Sequence, residues 1–227
     1  VGGNITRYHH PATRPEAIKT IRRIWSEGHP WLVLGGGSNL VVADAGFDGD
    51  VLHVAWRGKS KKAASKSSGD VLLTVQAGED WDDLVAYTIQ EGLQGIESLS
   101  GIPGLTGASV IQNIGAYGHD VSEVLESIEF LDYVDGEQKV LSASDLELGH
   151  RTSKLKTGEL IGLVLAVTFR LKQSDMSLPV SYAELAGHLG VDEGASVPLV
   201  DLREAVLALR RSKAMVLDPA DQDSQSV

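Results

Sequence analysis

Two glycine-rich segments are the parts of this chain whose residue types and spacing most directly suggest chemistry. The first, residues 35–39, reads Gly-Gly-Gly-Ser-Asn and follows the apolar residues 31–34, which predict a strand. Successive backbone N–H groups without side chains form a concave anion site, to which Ser38 and Asn39 would add donors. A tight turn between two strands explains the same glycines without a ligand, and for this segment alone the turn is favoured.

The second segment, residues 101–118, shifts the balance toward a ligand. Its eighteen positions include five Gly, two Ala and one Pro. Such sustained smallness is typical of backbone that lies directly against a large flat ligand. Thr106, Ser109, Gln112 and Asn113 offer polar groups to that ligand. Two such loops in different parts of the chain predict a long dinucleotide held between them.

Cations in the second half of the chain are further candidates for this site. Arg151 stands among small polar residues before an apolar strand, and its planar guanidinium matches carboxylate or phosphate. Arg210 and Lys213 lie at the end of a predicted helix, where cations also offset the helix dipole. A surface arginine is the favoured explanation of Arg151 on its own, and the helix dipole suffices to explain Arg210 and Lys213, so alone they assign no function.

Composition limits the classes of function. The 227 residues carry 20 Lys and Arg against 31 Asp and Glu, a net charge of −11. We therefore expect no binding to nucleic acid or to anionic membranes. No apolar run approaches the ~20 residues of a membrane span. The absence of Cys excludes disulfides, thiolate metal sites and Cys nucleophiles, and no ligand spacing predicts a metal site. We expect a cytoplasmic protein, and a monomer, although no pattern determines the oligomeric state.

Capping and periodicity predict the elements that would position these residues. Thr13 to Glu16 form a capping box that begins a helix, and Gly28 ends it. The other predicted helices are residues 80–90, 182–189 and 198–211, and the predicted strands are residues 31–34, 40–43, 51–56, 71–76 and 160–171, with a hairpin around Asp135-Gly136. This irregular order favours an α+β fold over a doubly wound sheet.

The same patterns divide the chain into four parts. We predict a first lobe over residues 1–60, an exposed basic and serine-rich loop over 61–69, and a second lobe over 70–175. Residues 176–227 would be connecting helices and the start of a further domain. A basic patch for a polyanion is the alternative interpretation of the loop, but a solvated loop is favoured by the negative net charge.

Taken in order, these segments resemble the UDP-N-acetylenolpyruvoylglucosamine reductase family. The matching blocks are residues 34–40, 76–81, 101–118, 149–153 and 210–213, and the resemblance covers nearly the whole chain. The run Gln-Asn-Ile-Gly-Ala-Tyr-Gly at residues 112–118 is its most specific part.

The resemblance implies a two-lobed FAD-binding fold of the vanillyl-alcohol oxidase and p-cresol methylhydroxylase type, not a Rossmann fold. The residues agree, since a strand rather than a helix is predicted after residues 35–39. The resemblance also implies FAD as cofactor and NADPH as reductant. The implied reaction reduces UDP-N-acetylglucosamine enolpyruvate to UDP-N-acetylmuramate for peptidoglycan synthesis.

The resemblance also assigns roles to individual residues. Arg151 would be catalytic, binding the substrate carboxylate, stabilising enolate charge and contacting the cofactor. Tyr182, Arg210 and Lys213 would bind substrate. The residues expected to line FAD are Gly35, Gly36, Gly37, Ser38, Asn39, Ile102, Pro103, Gly104, Thr106, Gly107, Ala108, Ser109, Gln112, Asn113, Gly115, Ala116, Tyr117 and Gly118.

Two features depart from the family pattern. His150 precedes Arg151 where the family usually has Tyr, and we expect this change to be tolerated because imidazole also stacks and donates. The family's proton-donating Ser and its late Glu would lie beyond Val227, so the chain is expected to lack most of the substrate domain.

Two other classes of function stay open on the sequence. One is another FAD-dependent oxidase or dehydrogenase of the same fold, in which His119 is the histidine nearest a glycine-rich segment for covalent flavin attachment. The other is a non-catalytic nucleotide-binding module.

Overall fold

Two larger β-sheets, one two-stranded sheet and the helices around them make up the computed structural model, which describes residues 2–65 and 69–217. The strands are β1 (Ile5–His9), β2 (Trp31–Leu34), β3 (Phe47–His53), β4 (Lys59–Ala63), β5 (Asp70–Gln76), β6 (Leu93–Gln94), β7 (Gly115–Ala116), β8 (His119–Asp120), β9 (Leu125–Asp132), β10 (Gln138–Ser142) and β11 (Gly162–Gln173). The helices are α1 (Arg14–Glu27), α2 (Trp81–Gln90), α3 (Thr106–Ser109), α4 (Lys154–Thr157), α5 (Ala183–Leu189) and α6 (Leu199–Ser212). Within the described ranges, no helix has the length and apolar character to cross a membrane.

The first sheet is parallel and has the strand order β1-β3-β2. Helix α1 covers it with a buried face of Ala17, Ile21 and Ile24. The predicted capping box is confirmed. The Thr13 hydroxyl accepts from the Glu16 amide at 3.4 Å, and the Glu16 carboxylate accepts from the Thr13 amide at 3.2 Å.

The second sheet is antiparallel and has the order β4-β5-β11-β9-β10. Strand β11 lies at its centre, and its apolar residues Leu163 to Val167 are buried between neighbours on both sides. Strands β9 and β10 form the hairpin predicted around Asp135-Gly136, with Gly136 at a φ of +72°.

The strand predicted at residues 40–43 is wrong. These residues belong to no strand or helix, and Val41 is 85% exposed. The carbonyls of Val42 and Ala43 accept hydrogen bonds from Gly2 and Gly3 at 3.1 Å, so the N-terminal segment satisfies them instead of a sheet. The strand predicted at residues 51–56 is β3, which begins and ends earlier. Since residues 35–46 contain no helix, the exclusion of a Rossmann phosphate loop still holds.

The loop predicted over residues 61–69 is wrong at its beginning. Lys59–Ala63 form the edge strand β4, paired with β5, and every residue of β4 is exposed. Lysines on an edge strand discourage pairing with another chain, so solvation explains these charges. Lys66, the last cation of that prediction, lies outside the described residues.

Helices α5 and α6 pack together in a separate apolar cluster that includes Leu185, Leu202 and Val206. Asp82 at the start of α2 ties this helical pair to α2 and to the second glycine-rich segment. Its carboxylate accepts two hydrogen bonds from Arg203 at 2.6 and 2.8 Å and one from the Gly101 amide at 2.6 Å. The pKa of Asp82 is lowered because these bonds outweigh its burial.

Candidate functional site

The two glycine-rich segments meet in the structure. Ser38 donates to the carbonyl of Pro103 at 3.3 Å, and Asn39 donates to the Gln112 side chain at 3.0 Å. A Cβ added to Gly36 would lie 3.0 Å from the Cα of Gly104. Part of the glycine content is therefore explained by one loop touching the other.

Beside this contact the two segments line one cleft of about 540 Å³, called here the main cleft. The expected FAD-lining residues found there are Gly35, Gly36, Gly37, Ser38, Asn39, Ile102, Pro103, Gly104, Ala108, Ser109 and Gln112. Arg151 and Lys156 also line it and place positive charge on its wall. The cleft thus combines bare backbone, polar side chains and cations.

An apolar cavity of about 340 Å³ adjoins the main cleft. It lies between the first sheet, α3 and β11, and its walls include Trp31, Val54 and Leu160, together with Gly107 of the predicted set. The two spaces share walls at Val33, Gly35, Leu105, Ala108 and Ile111. Together they form a long groove with an apolar end and a cationic end.

A tight turn at residues 149–152 brings Arg151 to the cleft. The amides and carbonyls of Gly149 and Thr152 exchange hydrogen bonds at 3.1 and 3.3 Å, and Arg151 has a φ of +54°. The Arg151 guanidinium donates to the Gly115 carbonyl at 3.0 Å, and Asn113 donates to the Gly149 carbonyl at 3.1 Å. His150 is exposed at the tip of this turn.

Lys156 was missed by sequence reasoning. Its ammonium group donates to the Arg151 carbonyl at 2.8 Å. The residue belongs to α4, a helix of four residues that is too short to leave a periodic signal. The one available signal was its position five residues after Arg151, which the sequence gave no reason to connect with the cleft.

The other residues of the predicted FAD set lie behind the cleft. Thr106 is buried, and its hydroxyl donates to the Glu79 carbonyl at 3.0 Å. Ala116 packs partly buried against the main core. Gly118 lies against Ser181, whose hydroxyl a Cβ would meet at 2.2 Å. Contact of these residues and of Asn113, Gly115 and Tyr117 with FAD stays a prediction.

The predicted substrate residues gather around Tyr117, outside the set of described residues that line the main cleft. Tyr182 is 43% exposed and packs edge-on to Tyr117 with 5.5 Å between ring centroids. Lys213 pairs with Glu184 at 2.6 Å, and this carboxylate raises the pKa of Lys213. Burial raises the pKa of Tyr117, against the opposing effect of Arg210 and Lys213.

Arg210 differs from its two companions because it is 3% exposed. It donates to the Met215 carbonyl at 2.9 Å and packs beneath Gly101. Burial lowers its pKa from the ordinary value, with Tyr117 and Asp82 acting in the opposite direction. The geometry gives Arg210 a supporting role under the second glycine-rich segment, and its contact with substrate stays a prediction.

His119 is fully engaged elsewhere. Its Nδ1 lies 2.8 Å from the Glu123 carboxylate and its Nε2 lies 3.2 Å from the Pro179 carbonyl. It is absent from the described residues that line the main cleft and the apolar cavity. This placement removes the support for covalent flavin attachment at His119.

One further charged cluster lies in the first sheet. Glu27, His29 and Asp50 bring possible metal ligands within 4.8 Å of one another. Both oxygens of Asp50 already accept hydrogen bonds from Arg7, at 2.9 and 2.8 Å, and one lies 2.7 Å from His9. A cation at Asp50 would have to displace the guanidinium, so the cluster is an ion-pair network around one buried carboxylate.

Comparison with known proteins agrees with this geometry. A family model described as an FAD binding domain matches residues 6–142. Proteins named UDP-N-acetylenolpyruvoylglucosamine reductase from Leifsonia xyli subsp. xyli and Thermobifida fusca are 50% and 47% identical over 100% of this chain. One from Saccharopolyspora erythraea is 52% identical over 91% of it. The chain spans 61%, 63% and 56% of these relatives, less than two thirds of their length.

Solved structures show the same fold. UDP-N-acetylenolpyruvylglucosamine reductase from Thermus caldophilus matches 93% of this chain and 64% of its own, with a TM-score of 0.61 and 24% identity. 4-Ethylphenol oxidase from Gulosibacter chungangensis matches 77% of this chain and 36% of its own, with a TM-score of 0.54 and 15% identity. The expected FAD-binding α+β fold is confirmed. The chain belongs to the FAD binding domain family.

Proposed function

We propose that this chain is the FAD-binding part of a UDP-N-acetylenolpyruvoylglucosamine reductase. NADPH is the reductant, and UDP-N-acetylglucosamine enolpyruvate is reduced to UDP-N-acetylmuramate for peptidoglycan synthesis. The observation that carries this proposal is the long groove lined by both glycine-rich segments and Arg151. The proposal is also supported by relatives about half identical to this chain, which share the name UDP-N-acetylenolpyruvoylglucosamine reductase.

The groove fits an extended FAD molecule. Dinucleotides need bare backbone amides near their phosphates and an apolar slot for a flat ring, and the groove offers both. Gly35 to Gly37 would approach the phosphates, with Ser109 and Gln112 as further polar contacts, and Trp31 and Leu160 line the apolar end. When bound, FAD supplies the hydride transfer between NADPH and the enolpyruvyl double bond.

Arg151 would bind the carboxylate of the substrate. Among residues 2–65 and 69–217, the Gly115 carbonyl is the one hydrogen-bond partner of its guanidinium, which leaves other N–H groups of the fork for a ligand. Arg151 would act through its charge and its planar fork of N–H donors. Its charge would stabilise the negative charge that develops on the carboxyl-bearing carbon as the double bond is reduced.

Lys213 and Tyr182 would receive the diphosphate-linked part of the substrate. Lys213 is exposed, and its ammonium group can pair with a phosphate. The Lys213 amine pairs with the Glu184 carboxylate at 2.6 Å, so a bound phosphate would take the place of this carboxylate. Tyr182 is exposed beside it and offers a ring face and a hydroxyl.

We also propose that the protein acts in the cytoplasm as a monomer, with no membrane or nucleic acid as partner. NADPH and UDP-sugars are cytoplasmic reagents, and the net charge of −11 repels polyanions. Light scattering of the purified chain tests the monomer, and a dimer mass at micromolar concentration would contradict it.

The visible absorption spectrum of the purified chain tests the central proposal. We expect a structured flavin band that survives desalting after FAD is added, and a change in that band when UDP-N-acetylglucosamine enolpyruvate is titrated in. A folded chain that retains no flavin would overturn FAD binding. Because the chain is expected to lack most of the substrate domain, the titration is repeated with the chain joined to the C-terminal part of the Leifsonia xyli relative. A joined protein that retains flavin but does not respond to the UDP-sugar would overturn the substrate assignment and leave the cofactor assignment standing.

A further inference from the structure

Backbone strain is concentrated beside the main cleft. In the described ranges, five non-glycine residues have positive φ, and three of these are Asn113 at +48°, Tyr117 at +51° and Arg151 at +54°. A side chain disfavours this left-handed conformation, so it persists only where surrounding contacts hold it. For Arg151 the strain matters most, because this residue also carries the charge that faces the cleft.

In the described ranges, the peptide that joins Arg151 to Thr152 is held by one backbone bond, from the Thr152 amide to the Gly149 carbonyl, and by one side chain. The Lys156 ammonium donates to the Arg151 carbonyl at 2.8 Å. Hydrogen bonds from a charged donor are stronger than those between neutral groups. The bond joins two residues that are only five positions apart, so it leaves the Arg151 peptide little freedom to rotate. The orientation of this peptide sets the direction of the guanidinium.

Lys156 is itself directed by the second glycine-rich segment. The Ser153 hydroxyl donates to the Ile111 carbonyl at 2.5 Å and accepts from the Lys156 amide at 3.2 Å. Helix α4 is too short to be stable alone, and this buried serine fixes its first turn to the wall of the cleft. The chain of contacts therefore runs from Ile111 through Ser153 and Lys156 to Arg151.

We propose that Lys156 is a positioning residue, whose ammonium group holds Arg151 in its left-handed conformation and so aims the guanidinium into the cleft. This inference rests on the proposed function, because it assumes that Arg151 contacts the bound flavin nucleotide or the substrate. Because Lys156 also lines the cleft, direct contact with a ligand anion is the alternative. The two ideas differ in one respect: a positioning residue acts only through Arg151.

A double-mutant cycle on FAD affinity separates them. The dissociation constant of FAD is measured by quenching of flavin fluorescence for the wild type, K156M, R151M and the double variant. We expect K156M to raise this constant about fivefold, as for the loss of one modest hydrogen bond. R151M should raise it further, and the double variant should match R151M alone. Multiplicative effects of the two changes would overturn the proposal.

Two further variants control for charge and for folding. K156R keeps a donor and should restore near wild-type affinity. K154M removes a neighbouring cation that pairs with Glu147 at 2.6 Å, and it should leave FAD affinity unchanged. Loss of affinity in K154M equal to that in K156M would show a general charge effect and contradict the proposal. Since Lys156 is exposed, all variants should unfold within about 2 °C of the wild type.

A crystal structure of K156M tests the same idea without FAD. We expect the Arg151 peptide to leave the left-handed region and the guanidinium to lose its bond to the Gly115 carbonyl. An unchanged Arg151 would overturn the positioning role, even in a chain that binds flavin. A wild-type chain that binds no flavin, with Arg151 displaced in K156M, would instead count against the proposed function alone.

Discussion

Arg7 in the first sheet and Arg151 at the main cleft use the same side chain in opposite ways. The Arg7 guanidinium donates twice to Asp50, which is 0% exposed, and its Nη2 lies 2.7 Å from His29. In the described ranges, the Arg151 guanidinium donates only to the Gly115 carbonyl. The guanidinium of Arg7 is paired within the protein, while that of Arg151 has N–H groups left to bind a ligand.

The difference teaches how to separate stability from binding in this molecule. Removing Arg7 would leave the buried Asp50 carboxylate without its main charged partner, which lowers the free energy of unfolding. Arg151 is exposed and its guanidinium makes one hydrogen bond, to the Gly115 carbonyl, so the side chain adds little to folding and is explained by what it binds. Changes at Arg7 should therefore affect folding alone, and changes at Arg151 should affect ligands alone.

The largest expected effect is that of R151M on the UDP-sugar. The apparent affinity for UDP-N-acetylglucosamine enolpyruvate, followed as a change in the flavin spectrum, should fall about a hundredfold, because a carboxylate loses its charged partner. The free energy of unfolding in urea should change by less than about 0.5 kcal/mol. Loss of stability with unchanged affinity would invert the comparison and refute it.

Next in size is the effect of R7M on folding. We expect the free energy of unfolding to fall by about 2 kcal/mol, below the usual cost of breaking a buried pair because Arg7 is 38% exposed and His9 still contacts Asp50. FAD affinity should not change. R23M is the matched control, since Arg23 pairs with Glu27 on the surface of α1 at 2.9 Å and should cost about 0.4 kcal/mol. Equal losses for the two variants would show that the burial of Asp50 is unimportant.

A methyl group at the contact between the glycine-rich segments should weaken cofactor binding. In G36A the new Cβ would press on Gly104 and push the segments apart, and we expect the FAD dissociation constant to rise about tenfold. Fluorescence titration measures it. G187A, in α5, is the control, because a Cβ there meets nothing within 4 Å and should leave FAD binding unchanged. Wild-type affinity in G36A would mean that the loops give way without cost.

The smallest expected effect is a pH dependence that comes from Asp50. Hydrogen bonds from Arg7 and then His9 hold its pKa below the ordinary value, against the effect of burial. A depressed pKa stabilises the folded state fully above the unfolded pKa of about 3.9, and this stability is lost as pH falls below it. Between about pH 4 and 3, the wild type should lose about 1 kcal/mol more than D50N in urea unfolding. Parallel curves for the two proteins would contradict a paired Asp50.

The predictions that succeeded concern local chemistry. The capping box at Thr13 and the turn at Asp135-Gly136 are confirmed, and both depend on hydrogen bonds between residues three or four positions apart, such as that from the Gly136 amide to the Asp132 carbonyl. The strand predicted at residues 40–43 is wrong because its partners are Gly2 and Gly3, and an apolar run alone does not reveal which groups satisfy its backbone. The edge strand β4 was missed because its lysines suit an edge and a loop equally.

For the site, residue types and spacing marked the two glycine-rich segments, and the family resemblance marked Arg151. The small residues at 101–118, and the lack of a predicted helix after residues 35–39 that excludes a Rossmann fold, were both visible in the residue types. Residue types do not depend on the fold. Only the tertiary structure decided that these segments touch, that Arg210 is buried while Arg151 is exposed, and that Lys156 grips the Arg151 peptide. These facts depend on which surfaces meet across gaps of up to about a hundred residues, and that is settled by packing of the whole chain rather than by any local pattern.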